Sequence, residues 1–208
     1  MSLPLPLEGV PPGLEYLTMV DEVMIYQMYY VFEESKPFER LCCGPNRNFV
    51  MHILDSFGRE VLRIRRPFRC CGGGCFGLCV SLPCCGSICT VESPPGHTIG
   101  TIEQKIACCA SSFAVKNHEN EIILRIDGPR CFLLYGCQDK EFPIETAAGD
   151  RVGHITKKQD GYGKGTFEEG DAFRLTFPIN LDVRAKAILL GAAFLIDFLE
   201  LEELGMKT

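Results

Sequence analysis

Thiols are the first candidates for chemistry in this chain. The stretch RCCGGGCFGLCVSLPCCGSIC, residues 69–89, holds seven of the thirteen cysteines: Cys70, Cys71, Cys75, Cys79, Cys84, Cys85 and Cys89. Structural zinc favours cysteine pairs separated by two to four residues, a spacing that Cys75 with Cys79 and Cys85 with Cys89 meet. Yet no two cysteines lie three apart, and the adjacent pairs Cys70-Cys71 and Cys84-Cys85 wrap poorly around one tetrahedral ion. A catalytic thiol would need a base, and His52, His97, His118 and His154 are scattered, so nothing singles out one cysteine.

Acylation accounts for more of the pattern. The thiols are flanked by small residues such as Gly72, Gly77 and Gly86 and by apolar Phe76, Leu78, Val80 and Ile88, which makes them accessible and already membrane-seeking. Immediately upstream, RIRRPFR supplies Arg63, Arg65, Arg66 and Arg69. One acyl chain, at about 0.8 kcal/mol per buried CH2, holds a protein only marginally, so stable anchoring needs a second chain or a basic patch. This segment offers both, with acyl chains on the thiols and the arginines facing anionic lipid headgroups. A cysteine-rich loop with a solvated basic face is the plain alternative.

Compartment and charge agree with that reading. The amino terminus, MSLPLPLEGVPPGLEYL, has no basic n-region and no sustained apolar h-region, which points to the cytosol or the cytosolic face of a membrane. In a reducing compartment an odd count of thirteen cysteines is not a disulfide framework. A net charge of -6 and a pI near 5.3 argue against a nucleic-acid partner, which calls for a basic field. The four prolines of residues 1–13 never fall in PxxP spacing, so no ligand for an SH3-type domain is expected.

The elements that must position these residues read as mainly β. FVMHILDSFGREVLRI (49–64), FAVKNHENEIILRI (113–126) and FPIETAAGDRVGHI (142–155) each run extended, turn on Asp, Asn or Gly, and return: three hairpins. PPGHTIGTIEQK adds a turn and a strand, and FRLTFPI (173–179) alternates with period two. Hairpins in series predict an antiparallel sandwich or barrel. The near-helical spacing of Leu14, Leu17, Val20, Met24 and Met28 predicts an amphipathic helix from Gly13 to about Phe32. A second helix is predicted over 183–204, N-capped by Asp182. Its apolar run AILLGAAFLI, ten residues, falls short of the roughly 20 that span a bilayer. It is therefore expected inside a barrel. Residues 1–13 form a short lead-in and 14–204 one domain.

Enzyme signatures are missing: there is no HExxH and no GxSxG, and GYGKGT (161–166) lacks Walker spacing. The segment EEGDAFRLTFPIN raises calcium. With Glu169 at position 1 of a twelve-residue loop, Asp171 stands at 3 and Asn180 at 12, but Arg174 occupies the glycine position and only two carboxylates result. Read alone, the segment is a strand preceded by an acidic turn.

Taken together, PPGLEYL (11–17), LCCGPNRNFVMHILDSFGREVLRIRRPFRC (41–70), the cysteine run, ESPPGHTIGTIEQ (92–104) and FPINLDVRAKAILLGAAFLIDFLE (177–200) resemble the phospholipid scramblases. The resemblance covers most of the chain from Pro11 to Glu200. It implies a tubby-like fold, a closed antiparallel barrel of about a dozen strands around a hydrophobic C-terminal helix. It further implies palmitoylation among Cys70, Cys71, Cys75, Cys79, Cys84, Cys85 and Cys89, and a calcium segment over Glu169, Asp171 and Asn180. The activity implied is calcium-triggered, ATP-independent movement of membrane phospholipids at the cytoplasmic face of the plasma membrane. A lipid-anchored adaptor that binds anionic headgroups or signalling proteins, without transport, is the alternative.

Besides a Pro-rich amino-terminal region reduced to about a dozen residues, the chain departs from that family in three places. Glu169 and Asn180 stand where the family has Asp, which predicts a weak calcium site. Only Lys157 and Lys158 remain basic in GHITKKQDG, which argues against nuclear entry. Residues 31–41 are shorter than the corresponding hairpin-bearing stretch, and a barrel lacking a hairpin would have open edges.

Overall fold

In the computed structural model, residues 10–24, 29–43, 47–68, 87–107, 110–128, 140–157 and 173–203 are described. Among them eleven strands form one antiparallel sheet. The strands are β1 (Glu22–Met24), β2 (Tyr29–Glu34), β3 (Phe49–Asp55), β4 (Glu60–Arg66), β5 (Ser87–Glu92), β6 (Thr98–Ala107), β7 (Ala110–Asn117), β8 (Ile122–Asp127), β9 (Lys140–Thr146), β10 (Arg151–Lys157) and β11 (Phe173–Thr176). A short helix α1 (Pro37–Cys43) follows β2, and α2 (Val183–Glu203) ends the described chain.

The three hairpins form where alternation predicts them. β3 buries Phe49, Met51 and Ile53 and turns outward between them, the period-two signature of a strand with one wet face. Asp55 closes the turn to β4: its carboxylate accepts from the Phe57 and Arg59 amides at 2.9 Å each, while Gly58 takes a positive φ of 77°. Asn117 does the same between β7 and β8, accepting from the Glu119 and Glu121 amides.

Two expectations give way. The helix from Gly13 to Phe32 is absent; a 3-10 turn, Glu15–Thr18, precedes β1 and β2 instead. The i, i+3 spacing of Leu14 and Leu17 suits a 3-10 turn as well as a helix, and both are fully buried there. Beyond it, YYVFEE is aromatic and β-branched and pairs in register with β3. The barrel is also not closed by hydrogen bonds among the described residues: the strand order runs β1-β11-β10-β9-β8-β7-β6-β5-β4-β3-β2, leaving β1 and β2 as edges. The mainly-β architecture around a C-terminal helix stands.

That helix forms the core. Asp182 is its N-cap, accepting from the Arg184 and Ala185 amides at 2.9 and 3.2 Å. From Ala185 to Ile196 every residue is buried, and α2 packs on β4, β6, β7, β11 and the 3-10 turn. No described helix is long and apolar enough to cross a membrane. The apolar surface of α2 from Ala185 to Ile196 is taken up by the core, as a segment hydrophobic on all sides requires.

Candidate functional site

The cysteine run falls in sequence between β4 and β5. Cys70, Cys71, Cys75, Cys79, Cys84 and Cys85 lie outside the described residues, as do Arg69, Glu169 and Asp171. Cys89 is described, and it corrects the acylation set: it sits on β5 opposite Ile102 with 0% exposure, inside the core. A thiol so placed behaves as a small hydrophobe and is closed to acyl transfer. Cys42, on α1, is by contrast an exposed free thiol.

Period-two alternation splits the arginine patch. Leu62, Ile64 and Arg66 face the interior of β4, whereas Arg63 and Arg65 face outward. Arg66 is fully buried, its guanidinium 4.2 Å from the centre of the Phe49 ring and its Nη2 3.4 Å from the Arg47 carbonyl oxygen. It cannot meet a headgroup. Arg63 donates to both Glu60 oxygens at 2.7 and 2.6 Å, and Arg65 donates from Nε to Glu92 at 2.8 Å. Among the described residues, the outward part of the patch is therefore two arginines, both already anchored by carboxylates.

Asn180 is exposed in the turn before α2. Among the described residues, no group of three His, Cys, Asp or Glu side chains could hold a metal ion. Next to that turn lies a cation the sequence reading missed. Lys186 is fully buried, and its ammonium donates to the carbonyls of Leu17, Val20 and Ile179 at 2.9, 2.9 and 2.8 Å, with the Phe177 ring 4.9 Å away. Burial pushes its amine below the ordinary 10.5, and only Asp21 acts in the other direction through its charge. A single lysine in the otherwise apolar run AKAILLGAAFLI was the available signal.

On the outer faces of β3 and β4, α1 walls a cavity of about 490 Å³. Lys36, Arg63 and Arg65 line it with positive charge, Glu34 and Glu39 with negative, and His52 sits between them. His52 contacts Glu60 through Nδ1 at 2.7 Å and Glu34 through Nε2 at 3.1 Å, while Phe32 stacks on its ring at 4.6 Å. Glu39 is half satisfied: one carboxylate oxygen lies 3.5 Å from the Lys36 ammonium, and the other is buried with no hydrogen-bond partner.

The model of the scramblase family matches residues 19–203. Phospholipid scramblase 2 of Bos taurus is 37% identical over 229 residues, covering 97% of this chain and 75% of that protein. Human phospholipid scramblase 1 is 34% identical over 234 residues, covering 100% and 71%. Phospholipid scramblase family member 5 of Homo sapiens is 32% identical and covered over 83% of its length. These alignments are longer than the 208 residues of the chain, so the relatives carry residues it lacks. No solved structure matches.

Proposed function

The chain belongs to the scramblase family, and from that premise we propose that it moves phospholipids between membrane leaflets without covalent chemistry. The observation that carries the reading is the similarity along nearly the whole chain to proteins named phospholipid scramblases. In this proposal, palmitate on Cys70, Cys71, Cys75, Cys79, Cys84 and Cys85 holds the sheet at the cytoplasmic face of the plasma membrane, helped by Arg63, Arg65 and Arg69. Calcium at Glu169, Asp171 and Asn180, two of which are carboxylates, is the weak trigger. Asn180 adjoins Ile179, whose carbonyl binds Lys186 of α2, so an ion there would act directly on the entry of the buried helix.

One observation favours the second reading, a lipid-anchored adaptor without transport: the apolar run of α2 from Ala187 to Ile196 is already buried in the core and unavailable to lipid. Reconstitution separates the two. Vesicles holding the acylated protein and a fluorescent lipid are treated with dithionite, with and without calcium. Transport predicts a calcium-dependent rise in the quenched fraction that Asp171→Ala abolishes; a flat trace with insertion verified leaves the adaptor.

A further inference from the structure

We propose that Cys42 on α1 is a further S-acylation site, on the end of the sheet that meets the bilayer. This deepens the anchoring reading above and rests on it. The sheet topology, the exposure of α1 and the chemistry of the thiol carry it.

Topology sorts the connections by end. From β2 to β11 each strand pairs with the next, antiparallel, so successive connections alternate between the two ends of the sheet. One end takes residues 35–48, 67–86, 108–109, 128–139 and 158–172; the other takes 56–59, 93–97, 118–121, 147–150 and 177–182. In sequence, connection cysteines belong to the first end alone. Cys42 and Cys43 fall in its first connection, the six from Cys70 to Cys85 in its second, Cys108 and Cys109 in its third, and Cys131 and Cys137 in its fourth. The remaining cysteine, Cys89, is on β5. The short connections of the opposite end hold no thiol and carry Glu119, Glu121, Asp150 and Asp182 against one arginine, Arg59, a balance that anionic lipid repels.

On α1, Phe38 and Cys42 stand four residues apart and so share a face; Phe38 is 73% exposed and Cys42 is an exposed free thiol. Phe68 and Ile88, which bracket the cysteine run in sequence, are exposed at the same end. Phe57 and Ile179 are exposed at the other end, so apolar exposure alone does not orient the sheet. The thiols do.

An accessible thiol beside an aromatic ring on a helix at the membrane surface is the setting for reversible acylation. The acyl donor is a long-chain thioester of coenzyme A. The Cys42 sulfur forms a bond to the acyl carbonyl carbon, the bond from that carbon to the coenzyme A sulfur breaks, and the proton of Cys42 leaves on coenzyme A. Because one chain holds a protein only marginally, a chain on Cys42 adds to an anchor elsewhere and does not replace it.

Acyl exchange on the full chain produced in a eukaryotic host tests the site. Free thiols are alkylated, thioesters are cleaved with hydroxylamine, and the thiols so released are tagged with a maleimide and assigned by mass spectrometry. A hydroxylamine-dependent tag is expected on Cys42, and Cys42→Ser should carry one tag fewer at unchanged melting temperature. Cys42 found alkylated in the first step, with no hydroxylamine-dependent tag, overturns the assignment. If the run from Cys70 to Cys85 is tagged in that sample, the anchoring reading survives; a tag on Cys42 without any on the run removes the run and keeps this site.

Orientation has its own readout. The chain has no tryptophan, so Phe38→Trp and Phe57→Trp each place a single reporter, one at either end. On vesicles of phosphatidylcholine and phosphatidylserine, brominated acyl chains should quench Phe38→Trp by about twofold and leave Phe57→Trp unchanged, as shallow burial of one end requires. Equal quenching, or the reverse pattern, overturns the placement and the site with it. Neither readout uses transport, so a flat dithionite trace removes the transport proposal alone.

Discussion

The Lys186 ammonium donates to the Leu17 carbonyl at 2.9 Å, joining residues 169 positions apart. Together with its bonds to Val20 and Ile179, this ties the first turn of α2 to the 3-10 turn and to the segment after β11. A charge inside a core is tolerated because three carbonyls replace its water. Lys186→Met keeps the volume and removes the donor, leaving those carbonyls unpaired. We expect a loss of about 2–4 kcal/mol in urea unfolding, from the cost of unmade hydrogen bonds. A change within about 0.5 kcal/mol, the range of ordinary surface substitutions, would show that the ammonium is not structural.

Acid sensitivity should concentrate around β2–β4. Burial pushes Glu33 up, but Arg47, Ser35 and Arg40 outweigh it and hold it below the ordinary 4.5. Asp55 is likewise raised by burial and brought below 3.8 by Arg59 and the Phe57 amide. Glu60 is lowered foremost by Arg63, against burial and with help from His52. Carboxylates with depressed folded pKa values stabilise fully above their unfolded values, and that stability is lost as pH falls through the folded ones. Urea midpoints should hold above about pH 5 and drop steadily toward pH 3. In Arg47→Met, only Ser35 and Arg40 remain to oppose burial at Glu33, so its share shrinks and the acid drop becomes shallower.

How much of this was legible varies with the range of the interaction concerned. The β3–β4, β7–β8 and β9–β10 hairpins were readable because alternation and turn residues such as Asp55 and Asn117 are local signals. Arg66 was misread as a lipid-facing charge, although period two through LRIRR groups it with the buried Leu62 and Ile64. Leu14 and Leu17 were ambiguous because one turn of either helix type satisfies i, i+3 spacing. Lys186 stood out in its run, but its partners lie far away in sequence. The pairing of β1 with β11, and the gap it leaves beside β2, depends on the whole sheet and not on any local pattern.

Cys89 separates anchoring from stability. Because its thiol is buried opposite Ile102, Cys89→Ser should leave flotation with vesicles unchanged but cost about 1–3 kcal/mol for a hydroxyl placed in an apolar site. Serine at the six cysteines from Cys70 to Cys85 should do the reverse, removing hydroxylamine-sensitive flotation with little effect on unfolding. Loss of flotation from Cys89→Ser at full stability would return that thiol to the anchor.

Gly100 sets how closely α2 approaches the sheet. A Cβ at this position on β6 would lie 2.2 Å from the Lys116 carbonyl oxygen and 2.5 Å from Ile188 Cδ1. Ile188 can rotate; the β7 backbone cannot yield without disturbing its ladder. Gly100→Ala should therefore destabilise by about 1–3 kcal/mol, the range for overpacking, as a lower melting temperature. Gly191→Ala is the contrast, since its added methyl would meet only side-chain ends, Ile64 Cδ1 at 3.3 Å and Leu62 Cδ2 at 3.5 Å. Its helix propensity gain of up to about 1 kcal/mol should offset those contacts, leaving stability nearly unchanged.

The calcium proposal makes its sharpest prediction at Asn180. Its side chain is exposed in the turn before α2, so Asn180→Asp adds a carboxylate without disturbing the core. Affinity for calcium follows ligand charge and number, so a third carboxylate should tighten binding by about fivefold or more. Asp171→Ala should loosen it further than wild type. Calorimetry with calcium chloride reads both. If the ion binds at this segment, its effect should also pass through the Ile179 carbonyl to Lys186, and calcium should raise the melting temperature of Asn180→Asp more than that of wild type. Identical calcium affinity in wild type, Asn180→Asp and Asp171→Ala would place the ion elsewhere and detach this turn from any calcium response.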